Sequence, residues 1–547
     1  MTSTSRWKLR EIDFLAVLAI AAIAVLGVMV RRTLSPDGVS YLDLADAVRR
    51  HDIDQFVQGY WSPLYPILLA FVGALTGKSG FALVAPAHIV NVFAVAGTIV
   101  IIWRWARTMA SPWFGRAAIA ALVVCSAEPP RVEALTPDLV LLLIVTWIGY
   151  ELLHHGGRRW LWVGALFGLA YLTKTSTWPW ILAAMLIRVA AGPDRSARGN
   201  AGRSWLVAAI VALLWIAPMS YVAGRPMIGV TGKLNYHWYL ESSDARTPDT
   251  HRGDHRQYDE FPVTDSLAVR VASMDTTMHW TYQPWSDPDG WSYGIMTHQA
   301  KAPKFSELLS YWLDITWQAV SVWLRTLIIA VLLPAFWLAR RKERWRAFLT
   351  MPRTTLVGVG LGVAGIGQYI AVHAEPRLIA PFVLLLALAL LQWLLGDRPD
   401  GEPIPRTRDR IAVSFLGLAA ATYLLGARIN AVRDDDRRIA AGIERLAAVN
   451  ATAFATPGST AGFGGALASN VPPHPRVAVV GPVLPVLANI FWTGGHVVAQ
   501  VPPSAVASLR NLPVDRRSTV LHQMFADRAD VLWITGTDGS YNIVRVP

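Results

Sequence analysis

The chain is built from apolar runs separated by short basic clusters, and that rhythm constrains its fold more than any motif. The runs fall at 12–30, 82–103, 111–127, 135–153, 159–174, 177–190, 204–222, 313–338, 354–372, 377–395 and 411–427. Most approach the ~20 residues that cross roughly 30 Å of hydrocarbon. A lipid-embedded backbone must satisfy its own hydrogen bonds, so such runs fold as helices. With 53% hydrophobic and 16% charged residues in 547, the expectation is an α-helical polytopic membrane protein of about eleven transmembrane helices. The net charge of +12 sits in clusters between the runs, where it meets lipid headgroups; this argues against nucleic acid as a partner. Cys125 is the single cysteine, which excludes an intrachain disulfide and a thiolate metal site. Arg6, Lys8 and Arg10 precede the first run, which is long for a signal-peptide core, so it reads as a retained span entering from the cytoplasm.

Sidedness turns on the short run 63–76. If it lies in the outer interface without crossing, Arg104, Arg107, Arg116, the His154–Arg159 loop and the clusters 195–203, 340–346 and 398–410 all face inward. If it crosses, they all face outward, against the positive-inside tendency. The non-crossing reading places outside the loop 31–81, the turns 128–136 and 172–178, the long segment 223–312, the turn His373–Arg377, and everything after about residue 428. The inner loops contain no Gly-x-x-x-x-Gly-Lys-Ser/Thr run that would bind a nucleotide phosphate.

The last 120 or so residues change character. Asp434–Ala448 has helical spacing and 457–475 is rich in small residues and proline. Runs at Val477–Val480, Val497–Ala499 and Val531–Ile534 then alternate with helical patterns at 504–510 and 518–528. The expected division is a membrane domain, 1–428, with outer loops 31–81 and 223–312, and a small extracytoplasmic α/β domain, 429–547.

Candidate chemistry gathers in the outer segments. Ser35-Pro36-Asp37-Gly38 follows the first span, with Ser35 suited to cap a helix, Pro36 to its first position, and Val39, Leu42 and Val48 on one stripe. Asp37 is then either a second cap or a carboxylate held at fixed depth for chemistry. Asp43 and Asp46, three apart, share a face and read first as solvating it, with acceptor or metal contact as a second use. Thr136-Pro137-Asp138 is a good helix start that also puts an acid at the level of Asp37. Two such carboxylates could orient an acceptor hydroxyl or hold a divalent cation. Lys174 ends a span facing outward, against the charge bias, and so calls for a negative group. Arg377, in His373-Ala374-Glu375-Pro376-Arg377, adds a cation at that level, suited to a lipid phosphate or to pairing with Glu375. In 223–312, Asn235-Tyr236-His237-Trp238-Tyr239 and Trp280–Pro288 supply aromatic surfaces for sugar stacking or interfacial anchoring. His251, Asp254 and His255 have no strong metal-binding spacing.

Together, Asp37–Ala45, Ser62-Pro63-Leu64-Tyr65-Pro66, Thr136-Pro137-Asp138, Gly168–Lys174 and Glu375-Pro376-Arg377-Leu378-Ile379-Ala380-Pro381 resemble the GT-C membrane glycosyltransferases. The likeness is to family 39 and its bacterial aminoarabinose and mannosyl transferase relatives, and the outer loop looks like a bacterial branch apart from the best-studied one. The resemblance implies a sugar donor on polyprenyl phosphate, an envelope acceptor (lipid, glycan or protein), and inverting transfer on the extracytoplasmic face of a bacterial plasma membrane. It makes Asp37 the general base, Asp138 the second acid, and Lys174 and Arg377 the candidate donor-phosphate ligands; no metal ligand is carried over. Tyr41, Asp43, Trp61, Tyr236 and Trp285 are the candidate acceptor or sugar contacts. Relatives often carry a charge before the proline-bearing helix, where this chain has Tyr60-Trp61-Ser62, so a metal site or phosphate contact from that loop gains no support. No large lectin-like insert supports a protein acceptor. The competing readings are a non-catalytic polyprenyl-phosphate or glycolipid carrier and an outer-face scaffold acting through 430–547.

Overall fold

The structure is a computed structural model. It describes residues 3–31, 33–109, 134–192, 194–236, 239–240, 258–264, 267–273, 279–288, 305–323, 351–395, 476–480, 496–501, 529–535 and 541–545, with isolated positions in 115–122, 483–490 and 506–525. The expected spans 111–127 (for the most part) and 411–427, the segment 434–475 and the His251–His255 cluster lie outside these residues.

The described membrane part consists of helices. They are α1 (Ser3–Met29), α2 (Pro36–Arg50), α3 (Ile53–Phe56), α4 (Leu64–Thr76), α5 (Val84–Thr108), α6 (Asp138–His155), α7 (Trp160–Thr173), α8 (Trp178–Ala191), α9 (Arg195–Ala223), α10 (Thr231–Tyr236), α11 (Gln283–Ser286), α12 (Phe305–Trp323), α13 (Arg353–Ile370) and α14 (Pro376–Leu395). Among the described residues, four helical stretches are long and apolar enough to cross a bilayer: Gly80–Thr108, Asp138–His155, Arg195–Ala223 and Pro376–Leu394. Shorter apolar helices include Asp13–Met29, Leu64–Thr76 and Trp160–Thr173. With 13 residues, α4 is about 20 Å long, short of the hydrocarbon thickness.

Outward faces of α1 and α9 leave Phe14, Val17, Leu206, Ile210 and Leu214 exposed, apolar surface that a bilayer would cover. Where helices meet, small residues bring backbones close. A Cβ on Gly164 would lie 2.4 Å from the Ser204 carbonyl oxygen, and one on Gly168 would lie 2.4 Å from Val211 Cβ. This small-x-x-x-small stripe seats α7 against α9 and thereby sets where α7 ends, at Lys174. Phe382 of α14 packs in the same way into the notch at Gly365 of α13.

Above the helices lies a six-stranded sheet, β1 (Tyr258–Thr264), β2 (Leu267–Ser273), β3 (Arg476–Val480), β4 (His496–Val501), β5 (Val531–Thr535) and β6 (Tyr541–Arg545), in the order β1-β2-β4-β3-β5-β6. β3 pairs parallel with β4 and with β5, while the other neighbours are antiparallel. The three C-terminal runs expected as strands are β3, β4 and β5. The sequence assigns the sheet to 429–547 alone, whereas β1 and β2 come from within 223–312. They complete it because the outer edge of β4 would otherwise leave unpaired backbone groups; Ala272 and Ser273 pair there with Gln500 and Ala499. Pro262, at the irregular end of β1, hides the strand pattern and suits an edge position.

Loop 279–288 ties the sheet to the helices. Val497 N donates to the Thr281 carbonyl at 2.8 Å, and Tyr282 Oη donates to Gln500 Oε1 at 2.7 Å. On its other side the loop meets α2.

Candidate functional site

Helix α2 starts as its sequence demands. Ser35 Oγ accepts from Gly38 N at 3.2 Å, and Pro36 occupies the first turn. Ser35 therefore caps the helix, and the Asp37 carboxylate is left for another partner. The buried Val39 and Leu42 hold α2 to the core, and His88 Nε2 contacts the Thr33 carbonyl oxygen at 3.0 Å, anchoring the approach to the helix.

A second polar contact in α5 positions the other acid. Tyr65 Oη donates to Asn91 Oδ1 at 3.0 Å, and Asn91 Nδ2 donates to the Ala134 carbonyl at 2.7 Å. This fixes the turn from which α6 begins at Asp138. Thr136 Oγ1 donates to Asp138 Oδ2 at 2.8 Å, and Asp138 is 1% exposed. Such a buried carboxylate requires a cation, which Lys174 Nζ supplies by pairing with Asp138 Oδ1. Lys174 is placed by the end of α7 and by Ser62, whose Oγ accepts from Thr175 N at 2.8 Å.

Arg377, in the first turn of α14, joins the two halves. Its Nη1 lies 2.6 Å from Asp37 Oδ2 and 3.9 Å from Asp138 Oδ2, and its Nε lies 2.6 Å from Glu375 Oε2. Glu375 Oε1 is 3.1 Å from His373 Nε2, and the His373 ring stacks on Tyr239 with centroids 3.6 Å apart. Burial alone would raise the Glu375 carboxyl; Arg377 and the His373 hydrogen bond outweigh it and hold the group well below the usual carboxylate range. Burial, then the charges of Asp37 and Asp138, push the Tyr41 phenol well above its ordinary value, so it stays neutral.

These groups line a cavity of about 580 Å³. Asp37, Asp138, Lys174 and Arg377 all face it, as do Tyr41, Trp61, Tyr236 and Trp285. Trp61 Nε1 donates to the Trp285 carbonyl at 3.0 Å, so α4's approach loop and loop 279–288 form one wall. Tyr60, Lys233, Gln368, Tyr369, His373 and Glu375 also line the cavity. Apart from Glu375, which the sequence offers as a partner of Arg377, nothing in their local spacing marks them.

One sequence-derived candidate is corrected. Asp43 is not among the residues lining the cavity and does not solvate a face: it is 6% exposed, beneath loop 279–288. Its Oδ2 accepts from Thr281 N and Ser286 Oγ, both at 2.9 Å, and its Oδ1 accepts from Thr281 Oγ1 at 2.8 Å. Burial pushes its pKa up to about 7, against the lowering effect of those hydrogen bonds. The helical spacing is read correctly, but the loop 238 residues away that covers the face is invisible in it.

Arg377 engages one oxygen of Asp37 and Lys174 one oxygen of Asp138. Among the described residues no cluster of three His, Cys, Asp or Glu side chains suits a metal ion.

Residues 61–222 match the family model described as dolichyl-phosphate-mannose-protein mannosyltransferase, a stretch holding Asp138 and Lys174. No curated protein sequence matches the chain. Among solved structures, the archaeal oligosaccharyltransferase AglB from Archaeoglobus fulgidus, in complex with an inhibitory peptide and a dolichol-phosphate, aligns at 11% identity and TM-score 0.44, covering 97% of this chain and 74% of its own. ArnT from Cupriavidus metallidurans in the apo state aligns at 12% identity and TM-score 0.43, covering 98% and 94%.

Proposed function

We propose that this chain is an integral-membrane glycosyltransferase of GT-C type. It moves a sugar from a polyprenyl-phosphate donor to a hydroxyl acceptor of the cell envelope, on the extracytoplasmic face of a bacterial plasma membrane, with the N-terminus cytoplasmic. The observation that carries the reading is the cavity in which the Asp37 carboxylate meets Arg377 at 2.6 Å, beside the buried Asp138–Lys174 pair, at the helix ends of an apolar bundle. The family match over 61–222 supports it.

In this reading Asp37 takes the proton of the acceptor hydroxyl as its oxygen forms a bond to the anomeric carbon. The bond from that carbon to the lipid phosphate oxygen breaks on the opposite face, inverting the centre. Arg377 and Lys174 then neutralise the departing phosphate, the guanidinium by forked hydrogen bonds and the ammonium as a point charge. Asp138 holds Lys174 and orients the acceptor. Tyr41, Trp61, Tyr236 and Trp285 offer the apolar faces on which sugar rings stack.

Its competitor is a non-catalytic carrier of polyprenyl phosphate, favoured by one observation: the Asp37 carboxylate is already engaged by the Arg377 guanidinium at 2.6 Å. Asp37→Asn, assayed with a panel of polyprenyl-phosphate sugars in proteoliposomes, separates the two. Loss of transfer with donor binding retained supports the enzyme; transfer at the unaltered rate removes Asp37 from the mechanism.

A further inference from the structure

Helix α6 places a second polar cluster at the opposite end of the bundle. Asp138 opens the helix in the cavity described above, and His155 closes it 17 residues later, about 26 Å along the axis. Around that far end lies a separate groove of about 460 Å³, formed by α5, the end of α6 and the start of α7.

Its level in the membrane is marked by its neighbours. The Arg107 guanidinium sits 4.9 Å over the Trp103 ring and that of Arg203 sits 5.8 Å over Trp160. Such a belt of tryptophan and arginine belongs at the lipid headgroups. Within the groove, Trp147 and Trp162 meet edge to face at 5.0 Å, while Arg104 and Arg159 stand at its polar side.

Glu151 is the unusual member. Its side chain is 2% exposed, in an otherwise apolar stretch of α6. Oε1 meets Arg159 Nη1 at 3.4 Å, but Oε2 is buried with no hydrogen-bond partner among the described residues. A buried carboxylate oxygen without a donor is costly and calls for one. The groove is thus lined by two arginines suited to an anion and by Glu151, a carboxylate suited to a cation carrying N–H.

We infer that this groove binds the headgroup of an aminophospholipid, with the phosphodiester between Arg104 and Arg159 and the primary ammonium against the Glu151 carboxylate. Arginine takes the phosphate through its forked donors. A primary ammonium supplies three N–H donors, whereas a quaternary ammonium has none and a glycerol headgroup has no charge to set against the carboxylate. Trp147 and Trp162 flank the glycerol and upper acyl region.

Native mass spectrometry on the full chain in detergent tests this, with phosphatidylethanolamine, phosphatidylcholine and phosphatidylglycerol added separately. One phosphatidylethanolamine adduct, retained roughly tenfold more tightly than the other two, is the expected result. Glu151→Gln should bring the three lipids to near-equal retention, and Arg159→Ala, at an exposed position, should weaken all three. Equal retention of the three lipids by the unaltered protein overturns the inference, as does a preference that survives Glu151→Gln. If Glu151→Gln does not fold, the Arg104→Ala and Arg159→Ala double variant carries the test, and an undiminished adduct overturns it. Inorganic phosphate and glycerophosphoethanolamine serve as soluble competitors. Displacement by inorganic phosphate as effective as that by the amine compound would mean a simple phosphate site and overturn the lipid assignment.

Discussion

Arg377 Nη1 lies 2.6 Å from Asp37 Oδ2 although 340 positions separate the two residues. The contact joins the first turn of α2 to the first turn of α14, and it makes the two residues proposed as base and phosphate ligand a single electrostatic unit. A donor phosphate entering the cavity would compete with Asp37 for the guanidinium, and success would release the carboxylate to act as a base.

Asp37→Asn is accordingly expected to lower sugar transfer by about 10²–10⁴-fold, the usual contribution of a positioned base. Ser35 remains as cap, so the variant should keep its helix and its thermal midpoint within a few degrees. A rate assay paired with a melting curve distinguishes lost chemistry from lost structure.

Lys174→Ala strands the buried Asp138 carboxylate, and removing one partner of a buried ion pair costs about 3–5 kcal/mol. Replacing both residues, Lys174→Ala with Asp138→Ala, should recover a large part of that stability but none of the transfer. A double-mutant cycle on unfolding in detergent reads the coupling, and additive costs would contradict it.

Asp43 sets a pH dependence whose sign follows from its folded-state pKa of about 7. The unfolded carboxyl titrates near ~3.9, so between those values the folded protein binds the extra proton. The contribution is present in full below the unfolded pKa and is lost as pH rises through 7, with a slope on the order of 1 kcal/mol per pH unit within the window. Asp43→Asn should flatten this slope, because the amide can donate to Thr281 Oγ1 while its oxygen accepts from Thr281 N and Ser286 Oγ. Melting midpoints at pH 5 and pH 8, with protease cleavage of loop 279–288 as a local readout, check it.

Gly168→Val forces side-chain atoms into Val211 on α9 and should cost about 1–3 kcal/mol by overpacking. Because α7 carries Lys174 at its end, the transfer rate should fall further than the melting midpoint predicts. Gly199→Val, where a Cβ meets nothing within 4 Å, is the control.

Local chemistry was legible wherever the responsible interaction is short in sequence. Ser35 as a cap, the helix start at Asp138, the break after α7 at Lys174, and the pairing of Glu375 with Arg377 all follow from residues a few positions apart. Strands β3, β4 and β5 were readable from their β-branched runs. β1 and β2 were not, because Pro262 interrupts the pattern and the reason for pairing lies on β4. The use of Asp43 was misread for the same reason: spacing reports which face a side chain shares, not what later covers it.

What the sequence determined by itself is therefore a set of apolar helices and the chemical types waiting at their ends, since hydrophobic length and capping act over one turn or one span. The tertiary structure decided which of those ends meet. Only packing, through notches such as Gly164 and Gly168 or Gly365, brings Asp37, Asp138, Lys174 and Arg377 to one cavity. Only there does burial make each charge demand its partner, because the cost of an unpaired charge depends on the surrounding dielectric and not on the residue that carries it.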